Sequence, residues 1–224
     1  MRIRPVGAHA LLLDCTAPAD MPEAELVEAW RAELWRRREH GDLIAVEIVP
    51  AARTVLLDGL PDPTTTARQL SRWAPAVAAA TTHADANDEA KTQDDTDRGA
   101  DVVVPVTFDG PDLPAVAEHW GVDAAAVRHR LTSTRFRVAF CGFAPGFPYL
   151  TGLPAELALP RLATPRPRVP AGSVALAGPY AGIYPGASPG GWQLVGRTDL
   201  VLFDVTADPP ARLGPGRTVR MVAA

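Results

Sequence analysis

Lysine is nearly missing from this chain. Of its 22 basic residues, 21 are arginine, and the one lysine, Lys91, sits in a polar stretch. A phosphate-binding loop ending in Gly-Lys-Ser/Thr is therefore excluded, and a lysine Schiff base has no plausible site. Cysteine is scarce as well. Cys15 and Cys141 cannot build a disulfide framework or a four-cysteine zinc site, so a reducing cytoplasm is the expected compartment. No run of about 18 apolar residues occurs, which speaks against a membrane-spanning helix. The opening residues, MRIRPVGAHALLLDC, lack the apolar core and cleavage site of a secretory signal. Histidine stops at His129, so the last 95 residues contain neither histidine nor lysine.

What is present is an ordinary globular composition over 224 residues, 47% hydrophobic and 21% charged, enough for one large or two small domains with a sizeable buried core. The net charge of −4 is uneven: residues 1–80 carry −2, residues 81–140 carry −5 and residues 141–224 carry +3. No stretch is basic enough to make nucleic acid the main partner. The one positive region of an acidic protein favours an anionic ligand there.

The first half reads as β-α-β-β-α-β. Strands are expected at 8–15, 43–49, 53–58 and 101–108. Helices are expected at 21–39, capped by Asp20, and from Thr64 to Ala80. That order is the ferredoxin-like arrangement. Residues 81–100 hold six acids, two bases and almost no large apolar side chain, which reads as a flexible acidic insertion. The expected domains are 1–108, an α/β domain carrying that insertion, and 109–224, a helical connection followed by a β-barrel. The connection comprises helices Leu113–Trp120, capped by Asp112, and Asp123–Ser133. Arg128, His129 and Arg130 on the second read as a solvated face rather than an anion site.

After Arg135 the texture changes: residues 141–224 hold 12 of the 18 glycines and 13 of the 23 prolines, between short apolar runs. Strands are expected at Phe136–Phe140, Ser173–Ala177, Gly182–Tyr184, Trp192–Arg197, Val201–Phe203 and Thr218–Val222, an all-β barrel-like half. Two motifs are misleading. Gly186-Ala187-Ser188-Pro189-Gly190 matches G-x-S-x-G, yet Pro189 lacks the backbone N–H that an oxyanion hole needs. Cys141 ends an apolar strand, where a buried, inert thiol is the usual outcome.

Four stretches carry the chemistry: FCGFAPGFPYL (140–150), PRLATPRPRVPAGSVALAG (160–178), GIYPGASPGGWQLVGRTDLVLFD (182–204) and LGPGRTVRMV (213–222). They combine rigid turns with Arg161, Arg166, Arg168, Ser173, Tyr184, Ser188, Gln193, Arg197 and Thr198. Glycine admits close backbone approach, proline fixes loop shape, and arginine offers forked donors to carboxylate or phosphate. A barrel whose turns simply need Gly and Pro, with solvated arginines, explains the composition equally well.

These stretches resemble the family of the 5-oxoprolinase B subunit, also labelled allophanate hydrolase subunit 1 or the Kip-inhibitor family. F-x-P-G-F-x-Y-L, P-R…P-R-x-x-V-P-x-G-S-V, G-x-Y-P…P-G-G-W-Q-L-x-G-x-T and L-x-P-G-x-x-V-R all occur in order, with GPDL at Gly110–Leu113 ahead of them. The resemblance is strong over 101–223 and covers 1–80 only in layout. It implies an α+β protein, a ferredoxin-like α/β domain followed by a cyclophilin-like β-barrel. It also implies work with a homologous C subunit (KipA-like, carboxyltransferase subdomain D) and with an A subunit (LamB/YcsF-like). Such a complex opens 5-oxoproline to L-glutamate, with ATP as co-substrate and Mg2+ as its companion ion, and the chain needs no bound organic cofactor. Neither nucleic acid nor membrane is an expected partner.

From residue type and loop context, Arg161, Arg166 and Arg197 are expected to bind carboxylate or phosphate, with backbone amides at Gly190 and Gly191 as further donors. Ser188 and Gln193 would orient the substrate beside Ser173, and Tyr184 and Trp192 would wall the pocket. No catalytic residue is assigned. Only Glu156, Asp199, Asp204 and Asp208 offer carboxylates in the final stretch, so the site is expected to be shared with a partner and the isolated chain to be nearly inactive. The alternatives are a Kip-type inhibitor of a sensor histidine kinase and a carboxyltransferase or allophanate-processing subunit.

Overall fold

The computed structural model describes residues 1–16, 22–91 and 101–224, which divide into two units, Met1–Gly99 and Ala100–Ala224. In the first unit, β1 (Arg2–Val6), β2 (Ala10–Asp14), β3 (Glu47–Pro50) and β4 (Thr54–Asp58) form an antiparallel sheet in the order β1-β2-β4-β3. The helices are α1 (Glu23–Glu39) and α2 (Pro63–Lys91). In β3 and β4 buried and exposed side chains alternate, so Ile48, Val55 and Leu57 line one face. They join Trp30, Leu34 and Leu70 in one core. Arg37 of α1 lies 3.9 Å over the Trp73 ring of α2, adding a cation–π contact between the helices.

The sheet has the ferredoxin-like strand order, but its fourth strand comes from a different place. The segment expected to close it, now β5 (Val102–Val106), pairs parallel with β13 (Thr218–Ala223) in the second unit. Its position beside β2 is taken by β1, which the sequence conceals because Arg2, Arg4 and Pro5 are typical of an exposed edge. The α1 cap assigned to Asp20 lies outside the described residues, and Pro22 occupies the N-cap position. Helix α2 continues to Lys91, through the first part of the segment read as a flexible insertion. Alanine supplies enough helix propensity there to extend an existing helix. The remainder, 92–100, lies outside the described residues.

In the second unit α3 (Leu113–Trp120) and α4 (Ala124–Ser133) fall within a residue of expectation. The strands that follow are β6 (Arg135–Cys141), β7 (Pro148–Thr151), β8 (Arg166–Val169), β9 (Ser173–Ala177), β10 (Tyr180–Ile183), β11 (Ser188–Gly190) and β12 (Gln193–Arg197). Seven strands run in the order β12-β9-β10-β7-β6-β13-β5, and β8 and β11 form a separate ribbon. The two edges of the large sheet meet where Thr107 and Arg197 exchange backbone hydrogen bonds of 2.9 Å each, so the sheet nearly closes into a barrel. Gly196 permits that seam: a Cβ there would stand 2.5 Å from the Thr107 carbonyl oxygen.

The barrel core is apolar, with Val104, Phe136, Val138, Leu150, Val174, Ile183, Val195 and Met221 all fully buried. Val201–Phe203, read as a strand, forms none; Phe203 makes a single bridge to Ala211. Among the described residues no helix is long and apolar enough to cross a membrane.

Candidate anion-binding face of the barrel

Two hydrogen bonds strap the loop after β7 to the Pro-Gly-Gly-Trp-Gln segment. Leu162 N–H donates to the Gly191 carbonyl at 2.7 Å, and Gln193 Nε2 donates to the Pro160 carbonyl at 3.3 Å. Arg161 lies between these straps. Its side chain is exposed and makes no hydrogen bond or ion pair with a described residue. Because the Pro160 carbonyl only accepts, it fixes the Gln193 amide with nitrogen toward it and Oε1 away. Gln193 Oε1 and Ser188 Oγ are both buried and meet no protein donor, an uncommon state for buried polar atoms.

Beneath the straps lies an aromatic cluster built from β7, β10 and the FCGFAPGF turn. Phe147 packs edge-on against Tyr184 at 5.0 Å and against Trp192 at 5.4 Å, while Tyr149 stacks on Phe140 at 4.3 Å. Gly182 makes room for this packing: a Cβ there would lie 2.8 Å from the Trp192 ring. A Cβ on Gly190 would overlap the Tyr184 hydroxyl. That glycine is therefore explained by packing against a phenol. Burial raises the Tyr149 and Tyr184 phenols above the ordinary tyrosine value, and the positive charge of Arg161 pulls both the other way. At neutral pH both phenols are protonated.

Phe143 stands apart from its neighbours. It holds a left-handed backbone, φ 69°, and its side chain is 63% exposed while Phe147 is buried. Its ring meets Phe147 edge-on at 5.4 Å and Tyr184 at 6.3 Å. The turn is held by Gly142 N–H to the Phe147 carbonyl at 3.2 Å and Phe147 N–H to the Ala144 carbonyl at 3.0 Å.

The other two arginines are committed within the chain. Arg166 pairs with Asp112 at 2.6 Å, and the second oxygen of Asp112 accepts the Leu194 N–H at 2.6 Å. Asp112, expected to cap α3, makes no cap hydrogen bond and joins three segments instead. Arg197 pairs with Asp109 at 2.9 Å in an exposed contact at the barrel seam. It also lines a cleft of about 370 Å³ with Pro105, Thr107, Thr198, Asp199 and Leu200. Ser173 is buried in β9 opposite Arg197 in register. The expected residues thus divide: Arg161, Tyr184, Gly190, Gly191 and Gln193 connect through the straps and the aromatic cluster, whereas Arg197 sits at the seam. Ser173 lies between, its carbonyl accepting the Tyr184 N–H at 3.0 Å while it pairs with Arg197, and Ser188 pairs with Val169 of β8. Sequence reasoning misses Asp109 and Asp112 as partners of the arginines, although both lie in or beside the GPDL stretch. It misses Phe143 as well.

Two groups carry no chemistry. Burial pushes the Cys15 and Cys141 thiols up to about 11, and Cys141 Sγ donates to the Leu213 carbonyl at 3.1 Å. Arg128, His129 and Arg130 are exposed on α4, as expected of a solvated face. At this face the exposed Arg161 guanidinium is the charged donor, a group whose forked N–H geometry matches a carboxylate or phosphate.

The family model of the carboxyltransferase domain, subdomain C and D, matches residues 1–213. The 5-oxoprolinase B subunit of Escherichia coli O157:H7 is 50% identical over 124 residues, covering 54% of this chain and 57% of that protein. The protein of that name from Bacillus subtilis is 44% identical over 124 residues, 54% of this chain and 52% of its own length. The matched stretch thus spans just over half of these two relatives. The Haemophilus influenzae protein of the same name is 33% identical over 99% of this chain and 97% of its own length. Among solved structures, TTHA0988 is 32% identical with TM-score 0.66, covering 97% of this chain and 40% of that one. The Kluyveromyces lactis urea amidolyase shares the fold at 22% identity and TM-score 0.61, over 99% of this chain and 15% of that one. The chain therefore belongs to the carboxyltransferase subdomain C and D family, the family of the 5-oxoprolinase B subunit.

Proposed function

We propose that this chain is the B subunit of an ATP-dependent 5-oxoprolinase, a hydrolase complex that opens 5-oxoproline to L-glutamate, and that it acts only with partner subunits. The observation that carries this reading is Arg161: an exposed guanidinium without a carboxylate partner among the described residues, whose positive charge reaches the Tyr149 and Tyr184 phenols. Such a face suits the carboxylate of a small anionic substrate.

A lactam amide is a poor electrophile. Transfer of the γ-phosphoryl group of ATP to its oxygen releases ADP and makes that oxygen a leaving group. Water then adds to the carbonyl carbon, the C–N bond breaks as the nitrogen takes a proton, and the γ-acyl phosphate so formed is hydrolysed by a second water to L-glutamate and phosphate. Phosphoryl transfer depends mostly on positioning and charge neutralisation, and Arg161 supplies both for the substrate. Proton transfer needs groups beyond this face, since residues 141–224 contain neither histidine nor lysine. We assign those groups to the partners, a homologous C subunit and an A subunit.

Among the described residues no three histidine, cysteine or carboxylate side chains come together, and Asp109, Asp112 and Asp204 are held by Arg197, Arg166 and Thr206, so we assign the Mg2+ that accompanies ATP to the complex rather than to a cage on this chain. No step on this chain is routed through that ion.

The test is ADP release by the reconstituted three-subunit complex, with and without 5-oxoproline, and with this chain omitted in parallel. Release that requires both the lactam and the chain supports the proposal; release indifferent to either overturns it. In that event a carboxyltransferase role, suggested by the family model, takes its place.

A further inference from the structure

We propose that Phe143 is a specificity-determining residue against which the ring of the anionic substrate packs while Arg161 holds its carboxylate. This inference rests on the reading of the Arg161 face given above. A phenylalanine at φ 69° occupies a conformation in which its Cβ crowds the following carbonyl, which glycine or asparagine adopts far more cheaply. The packing return is small: the ring meets Phe147 and Tyr184 only edge-on, at 5.4 and 6.3 Å, and the residue stays 63% exposed. Backbone strain kept for so small a packing return is a feature of ligand clamps.

The position of the ring says what it would hold. Phe143 abuts Tyr184, whose hydroxyl lies against Gly190, and the adjoining Gly191 and Gln193 are strapped to the residues on either side of Arg161. A solvent-facing aromatic ring is thus linked, through the buried Tyr184 and the Gly190–Gln193 segment, to the straps that flank Arg161, an exposed cation without an ion-pair partner among the described residues. A protein-docking surface would instead present several exposed apolar side chains together. In this cluster Phe143 is the exposed large hydrophobic, while Tyr149 and Tyr180 are half-buried and the other rings are buried. The chemistry that suits this pair is a small, flat ring bearing a carboxylate: apolar contact on Phe143, charge-assisted hydrogen bonds to Arg161.

Phe143→Gly and Phe143→Asn separate a role in binding from a role in folding, because both relax the backbone while removing the ring. In the reconstituted three-subunit complex each variant is expected to raise the KM for 5-oxoproline about tenfold, with kcat changed much less. The thermal midpoint of the chain stays at or above wild type. Phe143→Tyr, which keeps the ring, restores KM. A complex of wild-type activity whose KM is unmoved by either variant overturns the proposal. So does loss of co-purification with the partner subunits, which makes Phe143 a docking residue. If the wild-type complex ignores 5-oxoproline, the parent reading falls, and this one with it.

Discussion

Asp112 joins Arg166 at 2.6 Å through one oxygen and the Leu194 N–H at 2.6 Å through the other, so one carboxylate ties α3 to β8 and β12. The Asp112 side chain is 12% exposed and that of Arg166 28%. Removing the guanidinium leaves a largely buried carboxylate with a single donor. Arg166→Ala is expected to cost about 2 kcal/mol, below the range for a fully buried pair because water reaches this one. Arg166→Lys should recover about half of it. Urea unfolding midpoints measure both. A loss of substrate affinity with unchanged stability would instead return Arg166 to the substrate site.

The second arginine behaves differently. Arg197 and Asp109 are both exposed, with side chains 59% and 47% accessible, so Arg197→Ala is expected to cost about 0.5 kcal/mol. The barrel seam depends on its neighbour instead. Gly196→Ala places a Cβ against the Thr107 carbonyl and should cost about 2 kcal/mol or more. Denaturant titration of the two variants, in parallel, distinguishes a seam held by backbone approach from one held by charge.

Gly190 and Tyr184 form a lock that a double-mutant cycle can read. Gly190→Ala overlaps the Tyr184 hydroxyl and is expected to destabilise by about 1–3 kcal/mol. Tyr184→Phe removes the overlapping oxygen, so the double variant should be more stable than the sum of the two singles predicts. Simple additivity would show that the glycine serves some other purpose.

Much of this organisation is legible in the sequence. The helices of the second unit, the run Ser173–Ala177 and the ferredoxin-like strand order follow from periodicity and punctuation, because apolar spacing there matches burial. The identity of the fourth strand of the first sheet does not. A five-residue edge with two arginines and a proline carries no alternation to detect, while VVVPV is equally apolar in either sheet. The motif stretches locate the candidate face, but residue type alone does not separate a substrate arginine from a structural one. Arg161 and Arg166 share loop chemistry and composition; only the approach of Asp112, far away in sequence, sets them apart. Phe143 is hidden for the same kind of reason, since its exposure and its φ are properties of a folded turn.

Both thiols should be silent at working pH. With values pushed up to about 11, Cys15 and Cys141 are thiolate to about one part in a thousand at pH 8. Ellman's reagent should therefore react negligibly with the native chain at pH 8, faster as pH rises toward 11, and with both cysteines once the chain is unfolded. Rapid native labelling of Cys141 at pH 8 would contradict its inert assignment.

The most direct test of the account is the KM for 5-oxoproline in ADP release by the reconstituted complex, comparing this chain with its Arg161→Ala variant. Loss of a charge-assisted contact to the substrate carboxylate predicts a KM at least about tenfold higher, with the thermal midpoint of the exposed-site variant unchanged. An Arg161→Ala complex with wild-type KM and kcat would contradict the claim that this face receives the substrate.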